Sequence, residues 1–254
     1  GTVGGRHDRS KLEDAAREVL VGLGFEDLLN FHMISEAENY GRMLPTMEKA
    51  AEAFVESVEG DPEVRHQIKE DGVGMPALFD WAAESSASSE MVANLCDFLD
   101  DPLGYNQPAT ILEPYSEDYT MLRTWALPSL LMVLENNTHR AYPQDLAEIG
   151  LAARVDDRED TGVAERRTVA GGLARHDASY EDAKARLQAV ARNFDVDLET
   201  PATDHPTFID GRVAEVVLDG ESVGVVGEVH PEALVEHDLE LPVAAFEFRL
   251  DALE

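Results

Sequence analysis

The residue types that usually carry chemistry are present in this chain, but they form no constellation. None of the eight histidines makes a metal-ligand pair at helical spacing, and His139, His205 and His230 each lie beside a turn or a proline. A paired-carboxylate mechanism needs burial to separate the two pKa values, and adjacent acids such as residues 117–118 are ordinary in so acidic a sequence. We therefore predict no catalytic residue, no metal ligand and no cofactor-binding residue.

Glycine and cysteine positions point the same way. The sequence has no glycine-rich phosphate loop of either common spacing. The Gly171-Gly172 pair lies within a strand pattern, where close packing explains it. The single cysteine, Cys96, excludes an intramolecular disulfide and a thiolate metal cluster, and its position on an apolar helical face predicts a buried small side chain.

The charge of the chain is extreme. Its 254 residues include 52 acidic and 20 basic ones, for a formal charge of −32, and the acids are spread along the whole sequence. Such a charge repels itself unless salt screens it, and at ~1 M salt the Debye length is about 3 Å. We interpret the composition as an adaptation to concentrated salt and expect the fold to weaken in dilute buffer. An acidic surface for a basic partner remains the alternative.

The same charge argues against unassisted nucleic-acid binding, which needs patches of lysine and arginine. The only tight basic pair is Arg166-Arg167. No apolar run approaches the roughly 20 residues that span a bilayer, and the first residues are polar rather than signal-like. We expect a cytoplasmic protein that has no membrane contact.

Helices and strands are predicted from apolar periodicity and capping residues. Ser10 and Glu13 form a capping box before an amphipathic helix that ends near Gly24. Proline at position 128 fits the first turn of a second helix, and Ser179 caps a third. Strands are expected over residues 28–34, 109–112, 146–155, 168–174, 213–218, 223–229 and 243–250, with a hairpin turn at Asp219-Gly220. This alternation predicts an α+β fold with a largely antiparallel sheet, interrupted over residues 42–104 by an all-helical insertion.

Several motifs in order resemble one family. They are residues 117–123 with 127–131, then 146–150, 205–212, and 227–234 with 243–247. Together they resemble the C-terminal core of the archaeal phenylalanyl-tRNA synthetase beta subunit, and the acidity suggests a halophilic version. The resemblance covers residues 1–41 and 105–254, which we take as the core domain; residues 42–104 have no counterpart in it.

The resemblance implies a fold similar to class II synthetase catalytic domains, an antiparallel sheet flanked by helices. It also implies that the alpha subunit charges tRNA with phenylalanine, using ATP and magnesium, while this core is catalytically silent. Where the catalytic relative has a glycine-rich strand that ends in an ATP-binding arginine, this chain has Phe246, Glu247, Phe248 and Arg249. We interpret these four as a degenerate remnant of a nucleotide site, in which bulk and negative charge would exclude a triphosphate.

The resemblance implies the alpha subunit as partner, and tRNA through the assembled complex. The family pairs its early helices across that interface, so we expect Leu12, Val19 and Leu23 to contact the alpha subunit. The alternative that this stripe packs on its own sheet is left open. Two other functions also remain open: a free-standing ATP-dependent ligase of synthetase-like fold, and a protein-interaction module built on residues 42–104.

Overall fold

The computed structural model describes residues 4–43, 103–104, 106–156 and 158–254. The helical insertion predicted for residues 42–104 falls almost entirely outside these ranges, so that prediction and the domain boundaries drawn from it stay predictions. The described helices are α1 Asp8–Gly22, α2 Leu127–Asn136, α3 Tyr180–Phe194 and α4 Pro231–Glu236, with a π-helical turn at Ala37–Gly41 and a final 3-10 turn at Leu250–Leu253.

The strands form one large sheet and one small one. In chain order they are β1 Glu26–Leu28, β2 Met33–Ile34, β3 Met121–Leu122, β4 Gln144–Val155, β5 Val163–Ala174, β6 Leu198–Glu199, β7 Phe208–Leu218, β8 Glu221–Val229 and β9 Val243–Arg249. The seven-stranded sheet has the order β1-β4-β5-β9-β8-β7-β6, and β2 pairs with β3 separately. Among the described strands only the β1–β4 pairing is parallel, which confirms the α+β class and the largely antiparallel sheet. The class II likeness stays a prediction.

Strand alternation divides the large sheet into two covered faces. One face packs against α1 and α3 through a cluster that includes Phe246 and Phe248. The opposite face packs against α2 and Trp125. Helices of the same chain cover each face, so the side chains on both faces of the central strands are buried within this chain.

Predictions of caps and turns are confirmed where one or two residues determine the local backbone geometry. Ser179 caps α3 in a capping box with Asp182, and Pro128 lies in the first turn of α2. Asp219 and Gly220 both have positive φ, 49° and 82°, as the tight β7–β8 turn requires. No helix in the described ranges is long and apolar enough to cross a membrane.

Other predicted element boundaries are wrong. Helix α1 begins at Asp8 and is capped by the side chain of His7, which accepts a hydrogen bond from the Arg9 N–H. Glu13 instead forms a 3.1 Å ion pair with Arg167 on β5, so the predicted capping box with Ser10 does not form.

The predicted early strands are also shorter than expected. Residues 28–34 contain the end of β1 and all of β2, separated by a loop. Residues 109–112 contribute only an isolated bridge between Thr110 and Met121. Both β2 and residues 109–112 pair with the short strand β3, outside the large sheet, and the length of β3 limits their backbone pairing.

Candidate functional site

A buried ion pair lies at the centre of the sheet face that α2 covers. Arg123 donates to both carboxylate oxygens of Glu148, at 2.6 and 3.2 Å, and both side chains are fully buried. The guanidinium also donates to the Ser129 hydroxyl and to the Leu151 carbonyl, each at 2.9 Å. Glu148 in turn accepts a 2.8 Å hydrogen bond from the Asn30 amide side chain. The pair is therefore fully engaged by its own chain.

The backbone around Arg123 fixes the position of its side chain. Its N–H donates to the His32 carbonyl and its carbonyl accepts from the Ala153 N–H, both at 2.9 Å. The guanidinium then crosses over β4 at Gly150. A Cβ at this position would contact the guanidinium and would lie 2.7 Å from a Glu148 carboxylate oxygen. Glycine is needed here because the two charged groups approach the strand backbone closely.

We expect Gly150→Ala to destabilise the fold by about 1–3 kcal/mol, because the added methyl group overpacks the ion pair. The free energy of unfolding in denaturant measures the effect. Gly172→Ala is the matched control on β5, since its nearest neighbour would be a Val243 methyl group at 4.0 Å. Equal losses in the two variants would show that the ion pair does not require glycine at position 150.

A second buried carboxylate caps α2. Glu247, on β9, accepts hydrogen bonds from the Ala126 N–H at 2.8 and 2.9 Å and from the Leu127 N–H at 2.8 Å. The N-cap residue of α2 has no side-chain cap of its own, so Glu247 satisfies orphan donors and the positive end of the helix dipole. Burial raises the pKa of Glu247, while these backbone hydrogen bonds oppose that shift. The carboxylate occupies the place that an anion would take at this helix end.

The two phenylalanines of the predicted nucleotide-site remnant lie on the other face of the sheet. Phe246 packs edge-on against Phe25, with ring centroids 6.0 Å apart, and its ring lies over Gly171. Phe248 belongs to the same cluster. Because successive strand residues point to opposite faces, the expectation that these rings crowd the surroundings of Glu247 and Arg249 is wrong in its geometry. The interpretation of the strand as a remnant stays a prediction.

His205 is a buried histidine with a packing role. Its ring lies between Trp125 and Phe208, with centroid distances of 5.6 and 5.1 Å. Its Nε2 is 3.2 Å from the Leu103 carbonyl oxygen, and burial lowers its pKa to about 4. The described part of the chain contains no group of three or more histidine, cysteine, aspartate or glutamate residues that could hold a metal ion.

The predicted partner stripe on α1 is half-buried. Leu12, Val19 and Leu23 all pack against the cluster between α1 and the sheet. Much of their apolar surface is therefore used within the chain. Their contact with another subunit stays a prediction.

A second apolar surface is more exposed than the α1 stripe. The sequence analysis does not predict an interface at these residues. Leu29 is 82% exposed, Phe31 is 73% exposed and Tyr119 is 40% exposed. The Phe31 and Tyr119 rings meet edge to face at 6.0 Å, beside a groove of about 320 Å³ that is also lined by Met132 and Val133 of α2. We call Leu29, Phe31, Tyr119 and this groove the β2–α2 surface. The apolar run Leu28-Leu29-Asn30-Phe31 is the sequence feature that indicates this surface. A strand prediction for the run does not tell which of its side chains are exposed.

Known proteins resemble this chain along nearly its whole length. Residues 86–250 match the family model described as the phenylalanyl tRNA synthetase beta chain CLM domain. The chain is 63% identical over 252 residues to the phenylalanine–tRNA ligase beta subunit of Haloarcula marismortui, covering 99% of this chain and 36% of that protein. The corresponding subunit of Natronomonas pharaonis is 58% identical over 252 residues, covering 99% and 35%. The subunit of Thermococcus kodakarensis is 32% identical over 256 residues, covering 99% and 36%.

The chain therefore spans about a third of the length of these relatives. The resemblance found in the sequence motifs is confirmed, and its halophilic character fits the Haloarcula and Natronomonas proteins. These matches cover 99% of this chain, so they include residues 42–104, and the expectation that this segment has no counterpart in the family is wrong.

Proposed function

Because the chain belongs to the family of phenylalanyl-tRNA synthetase beta chains, we propose that it is a non-catalytic core module supporting assembly with the catalytic alpha subunit. The observation that carries this proposal is the exposed β2–α2 surface. Large apolar side chains such as Leu29 and Phe31 are seldom left in water together unless another molecule covers them. The printed names of the relatives describe a beta subunit, which makes an alpha subunit the natural occupant.

The buried polar groups support a silent role. Arg123, Glu148 and Glu247 are the charged groups at the centre of the sheet, and all three are fully buried and hydrogen-bonded within the chain. A catalytic acid or base must reach the proton it transfers in a substrate. These groups support packing rather than turnover.

The N-terminus of α2, which Glu247 caps, does not fit the phosphates of ATP. Glu247 places a negative charge at the α2 N-terminus, where a phosphate would otherwise find free N–H donors. No cluster of oxygen ligands suited to magnesium occurs within the described ranges. We therefore assign ATP and magnesium to the alpha subunit, and contact with tRNA to the assembled complex, which would act in the cytoplasm where tRNA is charged.

Assembly can be tested by replacing both aromatic residues of the β2–α2 surface, Phe31→Ala with Tyr119→Ala. Buried aromatic side chains dominate many interfaces, so we expect the affinity for the alpha subunit to fall about tenfold or more. Gel filtration with the alpha subunit in concentrated salt, followed by titration, measures the change. Circular dichroism should remain unchanged because both rings are exposed.

Val235→Ala is the matched control, because Val235 is an apolar residue that is 70% exposed on α4 and does not line this groove. The affinity of the Val235→Ala variant for the alpha subunit should equal that of the unchanged chain. If Leu12→Ala on α1 weakened the complex while the aromatic double variant did not, the interface would move to the predicted α1 stripe. Failure of the unchanged chain to co-elute with the alpha subunit would contradict the proposal as a whole.

A further inference from the structure

Three arginines converge at one end of the sheet, on the face that α2 covers. Arg154, Arg166 and Arg249 lie on the adjacent strands β4, β5 and β9. Arg249 is paired in register with Thr168, two residues along β5 from Arg166. Since neighbouring strands are about 4.8 Å apart and alternate residues share a face, the three side chains occupy one patch. A group of three guanidinium ions is notable in a chain whose formal charge is −32.

These arginines line a cavity of about 30 Å³, together with Asn106, Thr124 and Thr168. A cavity needs roughly 10–15 Å³ to hold one water molecule. The space exceeds that minimum, so it has room for a small polar group, and it is too small for a nucleoside. Two of the polar side chains on its wall are already engaged: Asn106 accepts a 3.0 Å hydrogen bond from Arg154, and Thr124 donates to the Gly104 carbonyl at 3.1 Å.

Neighbouring carboxylates neutralise only part of this charge. Arg154 lies 3.5 Å from Asp156, which is already bound more closely by Arg158 at 2.7 Å. Arg249 contacts the exposed Glu221, and its Nε lies 3.6 Å from an Asp251 oxygen, beyond hydrogen-bond distance. Among the described residues, the buried Nε atoms of Arg154 and Arg249 have no hydrogen-bond partner.

Arg166 has the weakest compensation of the three. Within the described ranges it makes neither a hydrogen bond nor an ion pair, although it is half-buried. Burial is the largest cause that lowers the pKa of Arg166, and the positive charges of Arg154 and Arg249 lower this pKa further. The carboxylates of Asp251 and Asp156 oppose this lowering. Arginine stays protonated in proteins, so the three guanidinium groups repel one another and the nearby carboxylates compensate this repulsion only in part.

We propose that Arg154, Arg166 and Arg249 form a binding site for the oxyanion of a phosphate group. Planar guanidinium forks match phosphate oxygens in pairs, which favours an oxyanion over a spherical ion. The phosphate could be free or could be the terminal group of a nucleotide whose remainder stays outside the cavity. Assembly with another subunit does not require this site, so it is a property beyond the proposed function.

The test uses the 254-residue chain alone, titrated with inorganic phosphate in concentrated potassium chloride at constant ionic strength. We expect calorimetric binding and a rise in the midpoint of thermal unfolding. Arg166→Gln should bind phosphate about tenfold more weakly or worse, because a charge-assisted hydrogen bond contributes about 1.5–3 kcal/mol. Arg166→Lys keeps the charge without the fork and should bind with intermediate affinity.

Arg192→Gln, an exposed position on α3, makes the same change of charge elsewhere and should leave phosphate binding unchanged. Without phosphate, Arg166→Gln should be at least as stable as the unchanged chain, because repulsion with Arg154 and Arg249 is removed. A parallel titration with ATP separates the sources: binding weakened by Arg166→Gln supports a nucleotide phosphate as ligand. Absence of phosphate binding in the chloride background, or equal binding by Arg166→Gln, would overturn the proposal.

Discussion

Replacing Arg123 with methionine is expected to lower the free energy of unfolding by about 3–5 kcal/mol, because it leaves a buried carboxylate without its partner. Glu148 would keep its hydrogen bonds from Asn30, but it would lose both bonds from the guanidinium. The Ser129 hydroxyl and the Leu151 carbonyl would lose a donor as well. Denaturant unfolding in concentrated salt measures the loss.

The exposed pair of Arg140 and Glu26 supplies the matched control. Its charged atoms lie 3.9 Å apart, with 59% and 67% of the two side chains exposed, and such pairs contribute about 0–1 kcal/mol. Arg140→Met should therefore change stability little. Removing both buried charges, with Arg123→Met and Glu148→Leu together, should recover part of the loss. Equal effects at positions 123 and 140 would contradict the importance we give to the buried pair.

The buried pair also shows where sequence reasoning ends. Arg123 was recognised as part of a motif, and the run that contains Glu148 as another, but nothing local indicates that two residues 25 positions apart meet in the core. Turns and caps are different, because Ser179 or Asp219-Gly220 specify their geometry within a few residues. The α+β class followed from such local signals, and the contacts of the candidate site did not.

Glu247 illustrates a related difficulty. Its charge predicts repulsion of a phosphate, and that stays a prediction; the sequence gives no sign that its partners are the first N–H groups of α2, which are 121 and 120 residues away in the chain. The expectation that Phe246 and Phe248 lie in the same site as Glu247 conflicts with strand alternation, which directs these rings to the other face of the sheet. Side chains alternate between the two faces of a strand, and this rule alone predicts that Phe246 and Phe248 lie on the face opposite to Glu247.

The exposed β2–α2 surface could not be predicted from the sequence, and the reason is physical. Leu29 and Phe31 are ordinary members of a predicted strand, and burial on one face would normally follow. In the structure β1 ends at Leu28 and β2 begins at Met33, so the intervening residues form a loop with apolar side chains in solvent. Only the tertiary structure shows which apolar residues lack a neighbour.

Dilution of salt is expected to have the largest effect of all, because it acts on every carboxylate at once. On dialysis below ~1 M salt we expect loss of the folded circular dichroism signal, since the screening length grows and the acidic surface repels itself. Few cations are free to compensate. Arg123 is used in the core, and Arg42 is already shared between Glu38 and Glu135, each at 2.8 Å.

A charge-reduced variant separates screening from other effects of salt. Glu18, Glu165 and Glu240 are exposed acids on three different parts of the fold, and changing all three to glutamine removes repulsion without touching the core. We expect the salt concentration at half-unfolding to fall in this variant, whereas Leu12→Ala, which weakens packing alone, should raise it. An unchanged midpoint in the glutamine variant, or a full signal retained in dilute buffer by the unchanged chain, would show that carboxylate repulsion does not control the stability of this fold.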